Sequence, residues 1–278
     1  MSEHSPMPWR AAGVSVPGAR HVQDGVVCQD AVLTRVEEDW AIVAVADGHG
    51  DPKHARSHEG SRLAVEVIAD LMGQLARDVM DQPNTPHALE LESELRRHLP
   101  RRIAWEWNRR ARELAGQQSP DGTWHSDLTL FGTTLIGALF TRGFAVFYQL
   151  GDGDILYMSD DGTTEQVFTP SEELYGSLTW SMCMPDGSAR AKVACRNLDE
   201  KRPQLAILAT DGLRDSLPED LHEFLRVGDW FLGRVEDEGW DLVVGGLGDW
   251  LSELSRRGNG DDATFGLVYW PWLEEDSV

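Results

Sequence analysis

The sequence predicts an α+β fold. Two observations carry that prediction: strand-length apolar runs, two of them joined as a hairpin, that stop abruptly on acids and glycines, and two helical blocks with four-residue apolar spacing. At 278 residues, 41% of them hydrophobic, the chain can bury a sizeable core in one large domain or two small ones.

Composition excludes several function classes. No apolar run is long enough to span a bilayer, so no membrane role is expected. Met1 to Arg10 carries Pro6 and Pro8 but no apolar signal core, and the expected location is the cytoplasm. Cys28, Cys183 and Cys195 are odd in number and lack metal-type spacing, so they read as small buried side chains. A formal net charge of −22 argues against a nucleic-acid partner, because such binding is driven by Lys and Arg displacing counterions. It suits a protein that holds cations.

The first clear strand is Trp40 to Ala46, continuously apolar and followed at once by Asp47-Gly48-His49-Gly50. A carboxylate at such a tip sits on a rigid support, Gly48 allows close backbone approach, and His49 can move a proton near neutral pH. Gly60 to Ala76 places Leu63, Val67, Leu71 and Leu75 on one helical face. Asp81 to Pro86 reads as a turn. Leu91 to Leu114 continues the helical spacing across Pro100, as one kinked helix or as two helices with Pro100 opening the second. Seven arginines between Arg96 and Arg112 read as a solvated outer face in preference to a docking surface for an acidic partner.

Gln117 to Trp124 reads as a polar loop. Thr133 to Phe140 and Phe144 to Leu150 predict a hairpin about Thr141-Arg142-Gly143. Its second strand ends on Gly151-Asp152-Gly153-Asp154, and Ile155 to Ser159 resumes a strand. A calcium loop starting at Asp152 is excluded, because Leu156, Tyr157 and Thr163 occupy positions that need an oxygen ligand, a glycine and a glutamate. Pro170 to Glu200 is left without assigned elements, with Trp180 to Met184 as either core or surface flap. Leu205 to Ala209 is a strand ending on Thr210-Asp211-Gly212. Leu221, Phe224 and Leu225 predict a short helix, and Val243 to Leu254 a longer one stopped by Gly258-Asn259-Gly260. Asp261-Asp262-Ala263-Thr264 leads into a closing strand, Phe265 to Tyr269.

Four strand ends thus carry acids: Asp47, Asp152, Asp211 and Asp261. Each alone is an ordinary turn former. Clustered, they would repel one another unless a cation sat between them, and oxygen-only ligands select hard metals such as magnesium or manganese. Two such ions sharing a carboxylate can activate water for phosphoester hydrolysis.

The order of motifs resembles the PP2C-like (PPM) metal-dependent serine/threonine protein phosphatases, in their bacterial branch. The resemblance rests on Cys28-Gln29-Asp30-Ala31, Val45-Ala46-Asp47-Gly48-His49-Gly50, Phe131-Gly132-Thr133-Thr134, Leu150-Gly151-Asp152, Ala209-Thr210-Asp211-Gly212-Leu213 and Asp261-Asp262-Ala263-Thr264, in family order over nearly the whole chain. It implies one domain over residues 1–278, with frayed tails at 1–10 and 273–278, folded as a four-layer α-β-β-α sandwich of two mostly antiparallel sheets flanked by helices. It implies two manganese or magnesium ions and a third, weaker site. Asp47 then resembles the bridging carboxylate, the Gly48 carbonyl a ligand of the second ion, and Asp211 and Asp261 further ligands of the first. Asp30 is similar to the acid that holds metal-bound water, Asp152 to the acid of the third site, and His49 to the general acid for the departing oxygen. A phosphorylated protein substrate and a matching Ser/Thr kinase are the implied partners.

The chain departs from the family pattern at several points. Gln29 stands where many members have glutamate, and Asp51 replaces a frequent glycine. Gly25 occupies the position of the arginine that usually grips the phosphate; Arg20 is the first substitute by virtue of its guanidinium fork, with His21 as the second. These departures keep a second reading open: a catalytically weak or inactive phosphatase-like module that binds a phosphoprotein or partner. A haloacid-dehalogenase-like mechanism is excluded, since only Asp152 and Asp154 have its two-residue acid spacing, and they lie mid-chain between hairpin strands.

Overall fold

A computed structural model describes residues 9–80, 88–116, 127–169, 179–217 and 221–271. The expected turn at 81–86, the loop at 117–124 and the tail at 273–278 lie outside these residues. In chain order the elements are β1 (Arg10–Val16), α1 (Ala19–Asp24), β2 (Ala31–Val36), β3 (Trp40–Ala46), α2 (Ser57–Met80), α3 (Ala88–Ala115), β4 (Leu135–Thr141), β5 (Phe144–Leu150), β6 (Asp154–Ser159), β7 (Thr164–Gln166), α4 (Gly187–Arg190), β8 (Lys192–Asn197), β9 (Pro203–Ala209), α5 (Asp211–Arg214), α6 (Leu221–Glu238), α7 (Trp240–Arg257) and β10 (Ala263–Tyr269).

The strands form two five-stranded sheets, β1-β10-β9-β6-β7 and β2-β3-β4-β5-β8, antiparallel throughout. β3 shows why its sequence lacks polar alternation. Trp40, Ile42, Ala44 and Ala46 pack in the layer with α2 and α3, whereas Ala41, Val43 and Val45 point into the layer between the sheets. Burying Ile42, Val43 and Val45 contributes about 1.5–3 kcal/mol each. The outer face of the first sheet packs on α6 and α7 through Phe224, Phe231, Leu247 and Leu251. The result is the four-layer sandwich that the resemblance implied.

The predicted hairpin forms with Phe140 opposite Ala145. α3 is a single helix despite Pro100, which costs the bond to the Arg96 carbonyl; the helix holds together because Leu95, Leu99, Ile103 and Trp107 are all buried on one face. Its arginines are exposed or neutralised by acids, as Arg110 is by Asp70 and Glu106.

Three expectations need correction. The short helix at Leu221 to Leu225 is α6, 18 residues long, with Phe224, Val227, Phe231 and Val235 buried along it. Of the expected frayed tail at 1–10, residues 1–8 lie outside the described residues, but Trp9 is buried against Phe140 and Trp270 and Arg10 opens β1. Within the unassigned stretch at 170–200, residues 179–200 contain α4 and β8, and the latter closes the second sheet beside β5. Among the described residues, no helix is long and apolar enough to cross a membrane.

Candidate metal centre

The tip of β3 is clamped through its backbone. Asp47 N–H donates to Thr134 Oγ1 (3.0 Å), and its carbonyl accepts from Thr134 N–H (2.8 Å) and Thr133 Oγ1 (2.8 Å). With both backbone groups satisfied by the strand opposite, the carboxylate is free to face the cleft. Gly48 is required by packing, since a Cβ there would come within 2.4 Å of the Gln29 carbonyl. His49 N–H donates to the Gly132 carbonyl (3.1 Å).

Asp152 stands on the turn between β5 and β6, where Gly151 adopts φ +107°. Gln149 Nε2 pins that turn through the carbonyls of Gly153 (2.6 Å) and Gly151 (3.3 Å). Asp211 opens α5 directly after β9. Asp47, Asp152 and Asp211 each present a carboxylate oxygen, and these oxygens lie within 4.8 Å of one another.

Asp30 is buried beside them and accepts from Thr210 Oγ1 (2.9 Å). Burial pushes its carboxyl up to about 8, with Asp262 and Asp211 adding repulsion against the hydrogen bonds of Thr264 and Thr210. Asp47 and Asp211 are held well above the usual carboxylate range, first by burial and then by each other's neighbours, Asp30 and Asp152 for Asp47, Asp47 and Asp152 for Asp211. Asp152 is also raised, by burial. Such a cluster of buried and half-buried acids either holds protons or holds a cation.

The two adjacent acids before β10 have different duties. Asp262 is buried and accepts from Gly18 N–H (2.6 Å), Gln29 N–H (2.7 Å) and His21 Nδ1 (2.8 Å). Asp261 is 58% exposed at the rim, 4.0 Å from His21 Nε2. The resemblance placed Asp261 with the first ion and Asp152 with a third; in the structure Asp152 belongs to the tight trio and Asp261 flanks it.

Asp47, Asp152, Asp211, Asp261 and Asp262 line a cleft of about 640 Å³, whose far wall includes Ser181, Cys183 and Met184 from the stretch left unassigned in the sequence. His49 and His21 line it; Arg20 does not. Arg20, the first choice for a phosphate grip, is exposed on α1 with its stem against Gly260, whereas His21, the second choice, lies in the cleft wall. Among the described residues lining the cleft there is no arginine, and Lys53 is the one lysine. His49 also differs from expectation: burial, then His54 and Lys53, push its ring down to about 4, away from the near-neutral value expected of a proton donor. Sequence reasoning missed Thr133 and Thr134 as the clamp and Asp262 as the anchor, although both stretches stood out as motifs.

The model of the protein phosphatase 2C family matches residues 17–252, and the chain belongs to that family of metal-dependent serine/threonine phosphatases. Solved structures agree in fold. The Streptococcus agalactiae (S. agalactiae) serine/threonine phosphatase is 19% identical, with 95% of this chain and 100% of that one covered at a TM-score of 0.57. The Mycobacterium tuberculosis phosphatase PstP/Ppp is 16% identical, with 96% and 100% covered at 0.57. A PstP catalytic domain in complex with two manganese ions is 18% identical, with 94% and 98% covered at 0.55. No curated protein matches the chain significantly.

Proposed function

We propose that the chain hydrolyses phosphoserine or phosphothreonine in proteins at a centre of two manganese or magnesium ions, without a covalent enzyme intermediate. The observation that carries this reading is the trio Asp47, Asp152 and Asp211, oxygen donors within 4.8 Å that burial leaves in need of neutralisation. Their all-oxygen chemistry fits a hard divalent cation. When bound, such ions supply Lewis acidity that lowers the pKa of water and neutralises phosphate charge.

Asp47, on the clamped tip of β3, would hold the ions together with Asp211, Asp261 and the Gly48 carbonyl, whose oxygen donors suit hard divalent cations. Asp152, placed inside the trio, serves either the main pair or a third, weaker ion. Asp30, buried next to Asp47 and held by Thr210 Oγ1, would orient the attacking water. His21, held by Asp262, meets the substrate phosphate; His49, whose ring is pushed down in the free chain, protonates the leaving oxygen once the bound phosphate's negative charge favours its charged form. The implied partners are a phosphoprotein and the Ser/Thr kinase that forms its phosphoester.

A second reading, a binding module with little turnover, is favoured by the absence of an arginine among the described residues lining the cleft. Hydrolysis of a phosphothreonine peptide with added manganese, and its loss in excess EDTA, tests between them. Undiminished turnover after confirmed metal removal rules out the two-metal mechanism; a peptide bound but not hydrolysed establishes the module.

A further inference from the structure

Asp152 and Asp211 sit on separate short turns, the first tied by Gln149 only within its own hairpin. Asp152 lies between Gly151 and Gly153, and α5, which opens at Asp211, is four residues long. The turns leave the first sheet side by side, because Asp154 pairs with Ala209 across β6 and β9.

One side-chain pair joins them just outside that last rung. Asp154 follows Asp152 by two residues and is 2% exposed; its Oδ1 accepts from Arg214 Nη2 (2.5 Å) and Gln166 Nε2 (2.5 Å). Arg214 ends α5, and its guanidinium lies 4.8 Å from the Phe224 ring centroid on α6. Asp154 Oδ2 is buried with no partner, so the burial of this carboxylate depends on bonds to a single oxygen. Neither residue lines the cleft.

We propose that Asp154 and Arg214 are positioning residues that set the distance between Asp152 and Asp211 and so tune the centre's affinity for a hard divalent cation. The inference rests on the proposed role of Asp152 and Asp211 in holding metal. The Gln149 bonds hold the Asp152 turn but do not reach α5, so they do not set its spacing from Asp211. A charge-assisted bond between the two supports, backed by an aromatic face on a third element, can set it.

Manganese titration calorimetry on the whole chain tests it. Arg214→Met, which keeps an apolar stem against Phe224, is expected to weaken manganese binding roughly tenfold or more, the scale for partners that orient metal ligands. Arg214→Lys keeps a donor and should recover most of the loss. Asp154→Asn, close in shape and free of a stranded charge, should show a smaller loss in the same direction and carries the test if Arg214→Met fails to fold. The double variant Asp154→Asn with Arg214→Met should bind no worse than Arg214→Met alone, because the two act as one unit. Wild-type affinity in Asp154→Asn and in whichever Arg214 variants fold, with losses confined to Tm, overturns the positioning role. A wild-type chain that takes up no manganese overturns instead the metal reading on which it rests.

Discussion

The two ends of the sandwich are built from opposite chemistry. β1 and β10 run from Arg10 opposite Tyr269 at one end to Val16 opposite Ala263 at the other. At the first end Trp9 meets Trp270 edge-on, with ring centroids 4.1 Å apart, and Phe140 at 5.4 Å. At the second end buried Asp30 and half-buried Asp47, Asp152 and Asp211 cluster together, each held above its ordinary pKa. The aromatic end and the helix-packed sheet faces therefore stabilise the fold, and the acidic end costs stability unless it is neutralised. A binding site is assembled here from groups that would be poor choices for holding a protein together.

The strongest way to break this contrast is Asp47→Asn. Phosphopeptide turnover should fall by about a thousandfold or more, the scale of losing an electrostatic group at the reacting centre. Its Tm in EDTA should equal or exceed that of the wild type, because a repulsive charge has gone. A clear drop in that Tm would assign Asp47 a structural duty.

Trp9→Ala tests the other end. It should destabilise the chain by about 3–5 kcal/mol in denaturant titration, the usual cost of deleting a buried aromatic, and leave the turnover of folded protein unchanged. Next in size, His49→Ala should slow phosphopeptide hydrolysis roughly a hundredfold and p-nitrophenyl phosphate much less, since only the peptide has a poor leaving group. Equal damage to both substrates would remove His49 from the proton-donating role.

The acidic end also sets a pH dependence. Asp30 rises from 3.8 to about 8 on folding, and Asp47 and Asp211 are raised as well. Between about 4 and 8 the folded chain keeps protons that the unfolded chain has released, so stability in EDTA should fall as pH rises through that window. His49, lowered from 6.5 to about 4, pulls the other way below 6.5, but it is one group against several. Manganese should flatten the slope; a Tm in EDTA that climbs from pH 5 to 8 would contradict the assignment. The smallest effect is expected of Arg20→Ala, which should leave KM and kcat unchanged, whereas His21→Ala should raise KM for both substrates. A KM shift in Arg20→Ala would bring its guanidinium back to the phosphate.

Much of this contrast was legible in sequence, and the gaps have physical causes. β3, β5 and β9 were readable because each is a continuous apolar run ended by an acid, and Asp47, Asp152 and Asp211 were visible for the same reason. α6 was cut short because Gly228 and Gly233 interrupt its spacing; at Gly228 a Cβ would lie 2.5 Å from Met158 Sδ. β8 was hidden because Lys192 and Arg196 flank small residues in a strand buried only at its centre. Asp262 and the Asp154–Arg214 pair could not be seen, since their partners lie up to 244 and 60 positions away. Nor could adjacency say which of Arg20 and His21 faces inward, because neighbours on a helix point about 100° apart.

The placement of β10 bears on how the protein is made. This strand, formed by residues 263–269, lies in the interior of its sheet, between β1 at the opposite end of the sequence and β9. During synthesis β1 and β9 have no direct neighbour in one another, and the first sheet cannot close until residue 269 has been added. The anchor Asp262, which fastens Gly18 and Gln29, arrives in the same late stretch. Pairings this distant in sequence fold slowly and leave strand edges open while they wait. The cleft is thus completed last, and a chain cut short before residue 261 keeps Asp47, Asp152 and Asp211 but lacks Asp261, the Asp262 anchor and the strand that joins β1 to β9.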